Sequence, residues 1–427
     1  MDGRIKIALV GAGMFGGDVH ARVYADLQMT GISGSLARVG LDHWARDLAP
    51  LRFELSAVAT RTETSARRLQ NSFAQWTGYE PRVYYGETPW REVIRDFPDL
   101  SVMAVSTPDH LHTPVVLAAL ENGVHVITEK PMCLSIEEAD QIIETARSRK
   151  LIVAVDMHKR YDPDHLRIKN DLSKRIGQPL YGLAMLEEPL EVSTRTFKWA
   201  EESDPFSYVG PHWTDLFYHY YESKPVSLTA VGQKKRLVRD GIHAYDAVQV
   251  RVDFDNGMSV YFHNNWITPP DFEGPVNQGH EIVGTDGKVE SDQQYRGLRF
   301  WYRGGGSRTA NNHFTRDVLR PDGSKAYIGY GADSIIAGLA AICRVKFFAD
   351  DPDSLRGGYP TAEEARITVA IVEAARRVCD LNFKYLNEGR GACVTARFGK
   401  DGITIVDPNR LDDGPKAVFQ KVYEKPI

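Results

Sequence analysis

The chain has 427 residues, 42% of them hydrophobic and 26% charged, which is enough for two or three domains that each bury a core. A formal net charge of −5 and a pI near 6.2 speak against nucleic acid or a membrane surface as partner. No apolar run reaches the roughly 18 residues of a membrane helix. Met1-Asp2-Gly3-Arg4 leads straight into an apolar stretch with no signal-peptide pattern. The four cysteines (Cys133, Cys343, Cys379 and Cys393) form no Cys-x-x-Cys or Cys/His cluster. A cytoplasmic, soluble chain without a metal centre is the expectation.

Residues 5–10 read as a short apolar strand, and Gly11-Ala12-Gly13-Met14-Phe15-Gly16 follows at once. Those glycines fit G-x-G-x-x-G, whose parts are a tight turn, a close backbone approach to pyrophosphate and close helix–strand packing. A helix opening there would aim free N–H groups at phosphate. The next strand comes late, at 53–59, after an insertion at about 30–50 with its own short helix. Its end carries Thr60-Arg61 in place of the acid that holds a ribose hydroxyl, with Arg67 and Arg68 one to two helical turns on. An arginine binds a 2′-phosphate that a carboxylate would repel, so NADP is favoured over NAD. The alternative is that Arg61 stacks on adenine and cofactor choice is loose.

A strand at 100–105 leads into Thr107-Pro108-Asp109-His110-Leu111-His112, with Asp109 as the expected cap of a helix running to Asn122. Gly123 ends that helix, and the strand 124–128 delivers Glu129-Lys130-Pro131 to its carboxyl edge. In open α/β sheets ligands sit outside that edge, so Lys130 is a candidate for chemistry; the plainer alternative is a surface lysine. Ser135 and Glu138 form a capping-box pair for another helix. This alternation of strand and helix is that of a doubly wound parallel sheet.

The glycine turn at 11–16, Thr107-Pro108-x-x-x-His112 and the stretch from Val124 to Pro131 together resemble the Gfo/Idh/MocA oxidoreductases, a family named for glucose–fructose oxidoreductase and inositol dehydrogenase. A second Glu-Lys-Pro at 424–426 has no strand before it and reads as chance. The resemblance runs from residue 5 to about 380. It implies an α/β N-terminal Rossmann domain (1–155) and an α+β C-terminal domain (156–384) with a large open, mostly antiparallel sheet. The exposed face of such a sheet often forms homodimers or homotetramers. Lys159-Arg160-Tyr161-Asp162 looks like the crossover, whose arginine lies near the cofactor in the family. Strand-like runs at 180–186, 226–232, 247–254, 259–266 and 279–283, a hairpin turn at Asp255-Asn256-Gly257, and helical runs at 332–348 and 362–380 fit that domain. Residues 385–427 are an extension to which the resemblance assigns no role.

By the same resemblance, the nucleotide would be held by Gly11, Gly13, Met14, Phe15, Gly16, Thr60, Arg61, Thr107, Pro108, His112, Glu129, Lys130 and Arg160. The family's catalytic pattern Asp-x-x-x-His-x-x-Asp is matched at 208–215, where His212 and Asp215 are kept and Tyr208 replaces the leading aspartate. That replacement puts the usual polyol specificity in doubt. Oxidising an alcohol needs a base for the hydroxyl proton and a cation beside the oxygen. His212 would be the base, Lys130 would steady the oxygen, Glu129 would orient Lys130, and Tyr208 would assist. The plainer alternative for His212 is a core histidine bonded to Asp215. Trp199, Trp213, Asn264, Asn265 and Trp266, with Tyr208, Lys130 and His212, are candidates for a carbohydrate pocket. His158 and Lys159 are further candidates, and His280 reads equally as a strand residue. The expected function is an NAD(P)-dependent dehydrogenase or reductase of a sugar, polyol or glycoside. A glycosidase working through transient oxidation and a nucleotide-sensing regulator are the alternatives.

Overall fold

The computed structural model describes residues 3–410, apart from 270, 322, 324, 400 and 401. The second Glu-Lys-Pro lies outside the described residues. Among the described residues, the first sheet holds six parallel strands in the order β3-β2-β1-β4-β5-β6. They are β1 (Arg4–Val10), β2 (Arg52–Thr60), β3 (Arg82–Tyr85), β4 (Val102–Val105), β5 (His125–Thr128) and β6 (Val153–Val155). Every residue of β4, β5 and β6 is buried, because helices cover both faces of a parallel sheet and leave no wet side to alternate toward. The helices of this half are α1 (Ala21–Thr30), α3 (Glu63–Thr77), α4 (Pro89–Asp96), α5 (His112–Glu121) and α6 (Ile136–Ser148).

The insertion before β2 is three short helical turns, the last of them α2 (Ala45–Leu48). It does not hang free. It packs against α10 (Tyr330–Phe348), and Arg38 pairs with Asp333 at 2.8 Å. Residues 330–343 of α10 are buried throughout, and the helix joins the core of the first sheet rather than closing the second domain. A side chain on Gly338 would come within 2.8 Å of the Ala154 Cβ, which is why the helix can lie this close to β6.

The second sheet has eight strands among the described residues, ordered β12-β11-β7-β10-β9-β8-β17-β18. They are β7 (Pro179–Pro189), β8 (Pro225–Gln233), β9 (Ala247–Phe254), β10 (Ser259–Thr268), β11 (Asn277–Gly284), β12 (Lys288–Asp292), β17 (Thr395–Gly399) and β18 (Gly402–Val406). Only β7 and β10 pair in parallel; the other pairings are antiparallel. Two small hairpins, β13 (Arg299–Tyr302) with β14 (Gly306–Thr309) and β15 (Arg316–Leu319) with β16 (Lys325–Ile328), precede α10. The helices α7 (Pro163–Asp171), α8 (Pro205–Tyr221), α9 (Arg236–Arg239) and α11 (Ala362–Asn387) complete the chain, with α8 and α11 on one face of the second sheet. The described part of the C-terminal extension finishes α11 and adds β17 and β18 at the β8 edge, pinned by Tyr385 donating to Asp407 at 2.6 Å. No described helix is long and apolar enough to cross a membrane.

Candidate active site

The carboxyl edge of the first sheet opens into a cavity of about 920 Å³, closed on its far side by α8, the end of β7 and the loop before α10. At one end the chain leaves β1 in the turn expected from its glycines. Gly11 has φ +105°, and a Cβ there would lie 2.1 Å from the Ser106 carbonyl oxygen. A Cβ on Gly16 would lie 2.4 Å from the Gly11 oxygen, so that glycine serves turn-to-helix packing and does not itself line the cavity. Gly13 has open space where its side chain would be, so a ligand can approach the backbone. The chain then enters α1 through a π-helical turn, Gly16–His20. Gly11, Gly13, Met14, Phe15, Thr60, Arg61, Thr107 and Pro108 all line this end.

Thr62 caps α3 by accepting from the Ser65 N–H, which leaves Arg61 exposed at the rim. Arg68 also lines the cavity and donates to the Ala12 carbonyl at 3.3 Å. Arg67 turns away to pair with Glu63 at 2.7 Å. His112 is a strut: its two ring nitrogens reach the carbonyls of Pro131 (2.7 Å) and Thr107 (2.9 Å). Burial pushes its pKa down to about 4 against the pull of the two carbonyls, and a neutral ring donates to one of them only. It ties the loop after β4 to the loop after β5.

Lys130 stands at the other end, buried, with its Nζ 4.2 Å from the centre of the Tyr208 ring and donating to the Tyr208 carbonyl at 2.9 Å. Tyr208 and His212 are one turn apart on α8 and therefore share the face that lines the cavity. Asp204 caps this helix through the N–H groups of Phe206 and Ser207, both at 2.9 Å, with Pro205 in the first turn. Asp-Pro ahead of an apolar run is a helix start signal present in the sequence.

His212 does not bond to Asp215, so its plainer alternative fails. Its Nδ1 is buried and has no hydrogen-bond partner, and its ring lies 4.7 Å from that of His158. Burial, then the positive charge of Lys130, with His158 and Lys159 adding to it, holds its pKa well below the usual range. His212 is thus a neutral base at neutral pH. His158 stacks on Phe15 at 5.2 Å. Lys159 donates to Gln278 and Gln293, each at 2.8 Å, and burial pushes its pKa down to about 7.

Several expected roles change in the structure. Glu129 does not orient Lys130 by a hydrogen bond; its Oε1 lies 2.9 Å from His20 Nε2. One ligand atom each from His20, Glu129 and Asp156 lies within 4.8 Å of the others, the spacing of ligands around a cation. Burial and the Asp156 charge drive the Glu129 carboxyl well above the usual range. Arg160 does not line the cavity. It is buried in ion pairs with Asp215 (2.6 Å) and Glu364 (3.1 Å). Asn265 donates to Glu187 at 2.8 Å and Trp266 donates to Glu188 at 2.8 Å, and neither lines the cavity. Trp213 and Asn264 donate to the carbonyls of Met185 and Leu186, and His280 is buried against His165 and Trp213.

Trp199 and Tyr208 do reach the cavity, joined by residues that sequence reasoning passed over: Phe197, Glu188 and Asp109. Asp109 is not the cap of α5. Its carboxylate accepts from Ser203 at 3.2 Å, and burial lifts its pKa to about 6. Glu188 was legible in principle, because it falls in phase with the inward residues Gly182, Ala184 and Leu186 of β7.

The model of the oxidoreductase family with an NAD-binding Rossmann fold matches residues 5–157, and the Gfo/Idh/MocA C-terminal domain model matches residues 172–290. The 1,5-anhydro-D-fructose reductase of Ensifer adhaerens is 24% identical over 259 residues, 59% of this chain and 73% of that protein. The NADP(+)-dependent scyllo-inositol 2-dehydrogenase IolW of Bacillus subtilis is 25% identical over 310 residues, 66% of this chain and 82% of that one. Other relatives match over less of their length, for example 34% of the levoglucosan dehydrogenase of Pseudarthrobacter phenanthrenivorans. Among solved structures, scyllo-inositol dehydrogenase from Lactobacillus casei superposes with a TM-score of 0.62 at 15% identity, covering 89% of this chain and 98% of that one. GenD2 of gentamicin A biosynthesis gives 0.63 at 19% identity, covering 88% and 93%. The two family models cover consecutive parts of the chain that hold the glycine turn, Lys130 and His212, and the protein belongs to the Gfo/Idh/MocA family of oxidoreductases.

Proposed function

We propose that the protein is an NADP-dependent dehydrogenase or reductase acting at a hydroxyl-bearing carbon of a sugar, polyol or glycoside. The observation that carries this reading is the meeting of Lys130 and the unpartnered His212 in one cavity with the glycine turn. The turn fits a dinucleotide, since Gly11 and Gly16 leave no room for side chains while Gly13 opens toward the ligand. Gly11, Gly13, Met14, Phe15, Thr107 and Pro108 would hold that group, which supplies the hydride acceptor or donor when bound.

The chain's own residues handle the proton and the charge. His212, which lines the cavity and is neutral, takes the hydroxyl proton in the oxidative direction and returns it in the reductive one. The Lys130 ammonium, fixed by the Tyr208 carbonyl, stabilises negative charge on the reacting oxygen. The walls of Phe197, Trp199 and Tyr208 offer a sugar-like ring apolar faces. The absence of an acid at the end of β2, with Arg61 and Arg68 on the rim, supports a 2′-phosphate there. An oligomer formed through the open face of the second sheet belongs to the same reading.

The test is turnover of myo-inositol, scyllo-inositol and levoglucosan with NADP+, and of 1,5-anhydro-D-fructose with NADPH. Lys130→Ala should lower kcat by about 10²–10³-fold or more while NADPH still binds. Near-normal turnover by that variant would overturn the assignment. Arg61→Asp should shift the ratio of NADPH to NADH affinity toward NADH by at least about tenfold, read by quenching of tryptophan fluorescence. An unchanged ratio removes Arg61 from the phosphate site.

A further inference from the structure

Glu188 is buried, yet among the described residues it has no cation within ion-pair distance. Trp266 donates to its Oε2 at 2.8 Å, and its Oε1 has no hydrogen-bond partner among the described residues. A mostly buried carboxylate with one neutral donor leaves its other oxygen to solvent, a ligand or a proton in the cavity it lines. Trp266, fully buried and packed edge-on against Phe197 at 6.1 Å, has no freedom to turn its N–H elsewhere. The carboxyl is therefore fixed in direction. It lines the cavity on the α8 side, among Phe197, Trp199 and Tyr208.

The charged and titratable groups that face it are Lys130, Asp109 and Tyr208, all lining the same cavity. Lys130 is already held by the Tyr208 carbonyl and ring, so it is not spent on Glu188. Asp109 is likewise buried and has one neutral donor, Ser203.

Resting on the dehydrogenase reading above, we infer that Glu188, oriented by Trp266, receives a second hydroxyl of the substrate while another is held by Lys130 and His212 in the same cavity. It selects a ring carrying a further hydroxyl and fixes which carbon faces the cofactor. Trp266 is the positioning residue behind it. Burial lifts the free carboxyl to about 7, so substrate would meet it partly protonated at neutral pH, and kcat/KM should climb as the proton leaves.

The test uses the near-isosteric Glu188→Gln variant of the full chain, with NADPH affinity within about twofold of wild type taken as the sign of an intact fold. In turnover of the panel above, the variant should raise KM at least about tenfold and change kcat less than about threefold. It should also flatten the rise of kcat/KM through neutral pH. Trp266→Phe should move KM the same way by a smaller factor. Unchanged KM and an unchanged pH profile overturn the inference while wild-type turnover preserves the dehydrogenase reading. A second readout needs no substrate. Wild-type tryptophan fluorescence, with Trp266→Phe as the blank, should show a step near pH 7 that Glu188→Gln removes. Failure of wild type to turn over any panel compound would sink the dehydrogenase reading itself.

Discussion

Lys130 and Gly11 were legible from sequence because each role is local. A strand end decides where Lys130 emerges, and a single turn decides what Gly11 must be. Arg160, Asn265 and Trp266 were not, because their partners Asp215, Glu187 and Glu188 lie 55, 78 and 78 residues away in sequence. A charge or an indole in a sequence does not say which distant group it will meet. Gly11 gives the sharpest test at this scale. A methyl group there would lie 2.1 Å from a backbone oxygen, at φ +105°, a conformation that L residues rarely adopt. Moving Ser106 means moving the loop that joins β4 to the cavity. Gly11→Ala should therefore cost about 2–4 kcal/mol of stability by strain and overpacking together. It should weaken NADPH binding as well. Urea denaturation beside a cofactor titration checks both, and a fully stable, tight-binding alanine variant would mean that the turn has room the geometry denies.

At the scale of elements, the strands read cleanly and the helices of the second half did not. Alternation in β7 through β10 is direct evidence of one covered face, and the sequence shows it. The helix α8 is masked by its own motif, and α10 joins the first core rather than the second, which its sequence does not show because its apolar residues occur on all sides. A helix buried all round gives no face from which to guess its neighbour. What joins these elements is Arg160, on the turn between β6 and α7. It makes a two-bond contact with Asp215 of α8 (2.6 and 2.8 Å) and a third bond to Glu364 of α11 (3.1 Å). Arg160 thus braces the helix that carries Tyr208 and His212 and acts on the site from behind. Asp215→Asn leaves a buried guanidinium short of charge, and should lower stability by about 3 kcal/mol. Because α8 then loses its anchor, kcat should fall with it even though Asp215 is remote from the cavity. Thermal unfolding together with turnover would separate this from a purely local effect; unchanged values of both would show that the brace is idle.

For the whole molecule, the second sheet poses a question that the single chain leaves open. One face is covered by α8 and α11. The other presents Tyr181, Leu183 and Met185 of β7 beside Tyr261 of β10, all exposed, with Leu183 directly opposite Tyr261 in register. Arg251, Glu281 and Lys288 flank this apolar stripe on β9, β11 and β12. Scattered surface leucines need no explanation, but a contiguous apolar row with a charged border on a flat sheet is the pattern of a surface made for contact. A second copy of the chain is the simplest partner, because a two-fold axis through the stripe would set each Leu183–Tyr261 pair against its equivalent. Leu183→Glu puts a carboxylate where the two faces would meet. It lies on the wet side of its own sheet and should leave the monomer's fold and thermal midpoint nearly unchanged. Light scattering behind gel filtration should then give twice or four times the 47.9 kDa chain mass for wild type and the single-chain mass for the variant. A wild-type protein that stays monomeric at micromolar concentration would mean that the stripe is meant for something other than itself.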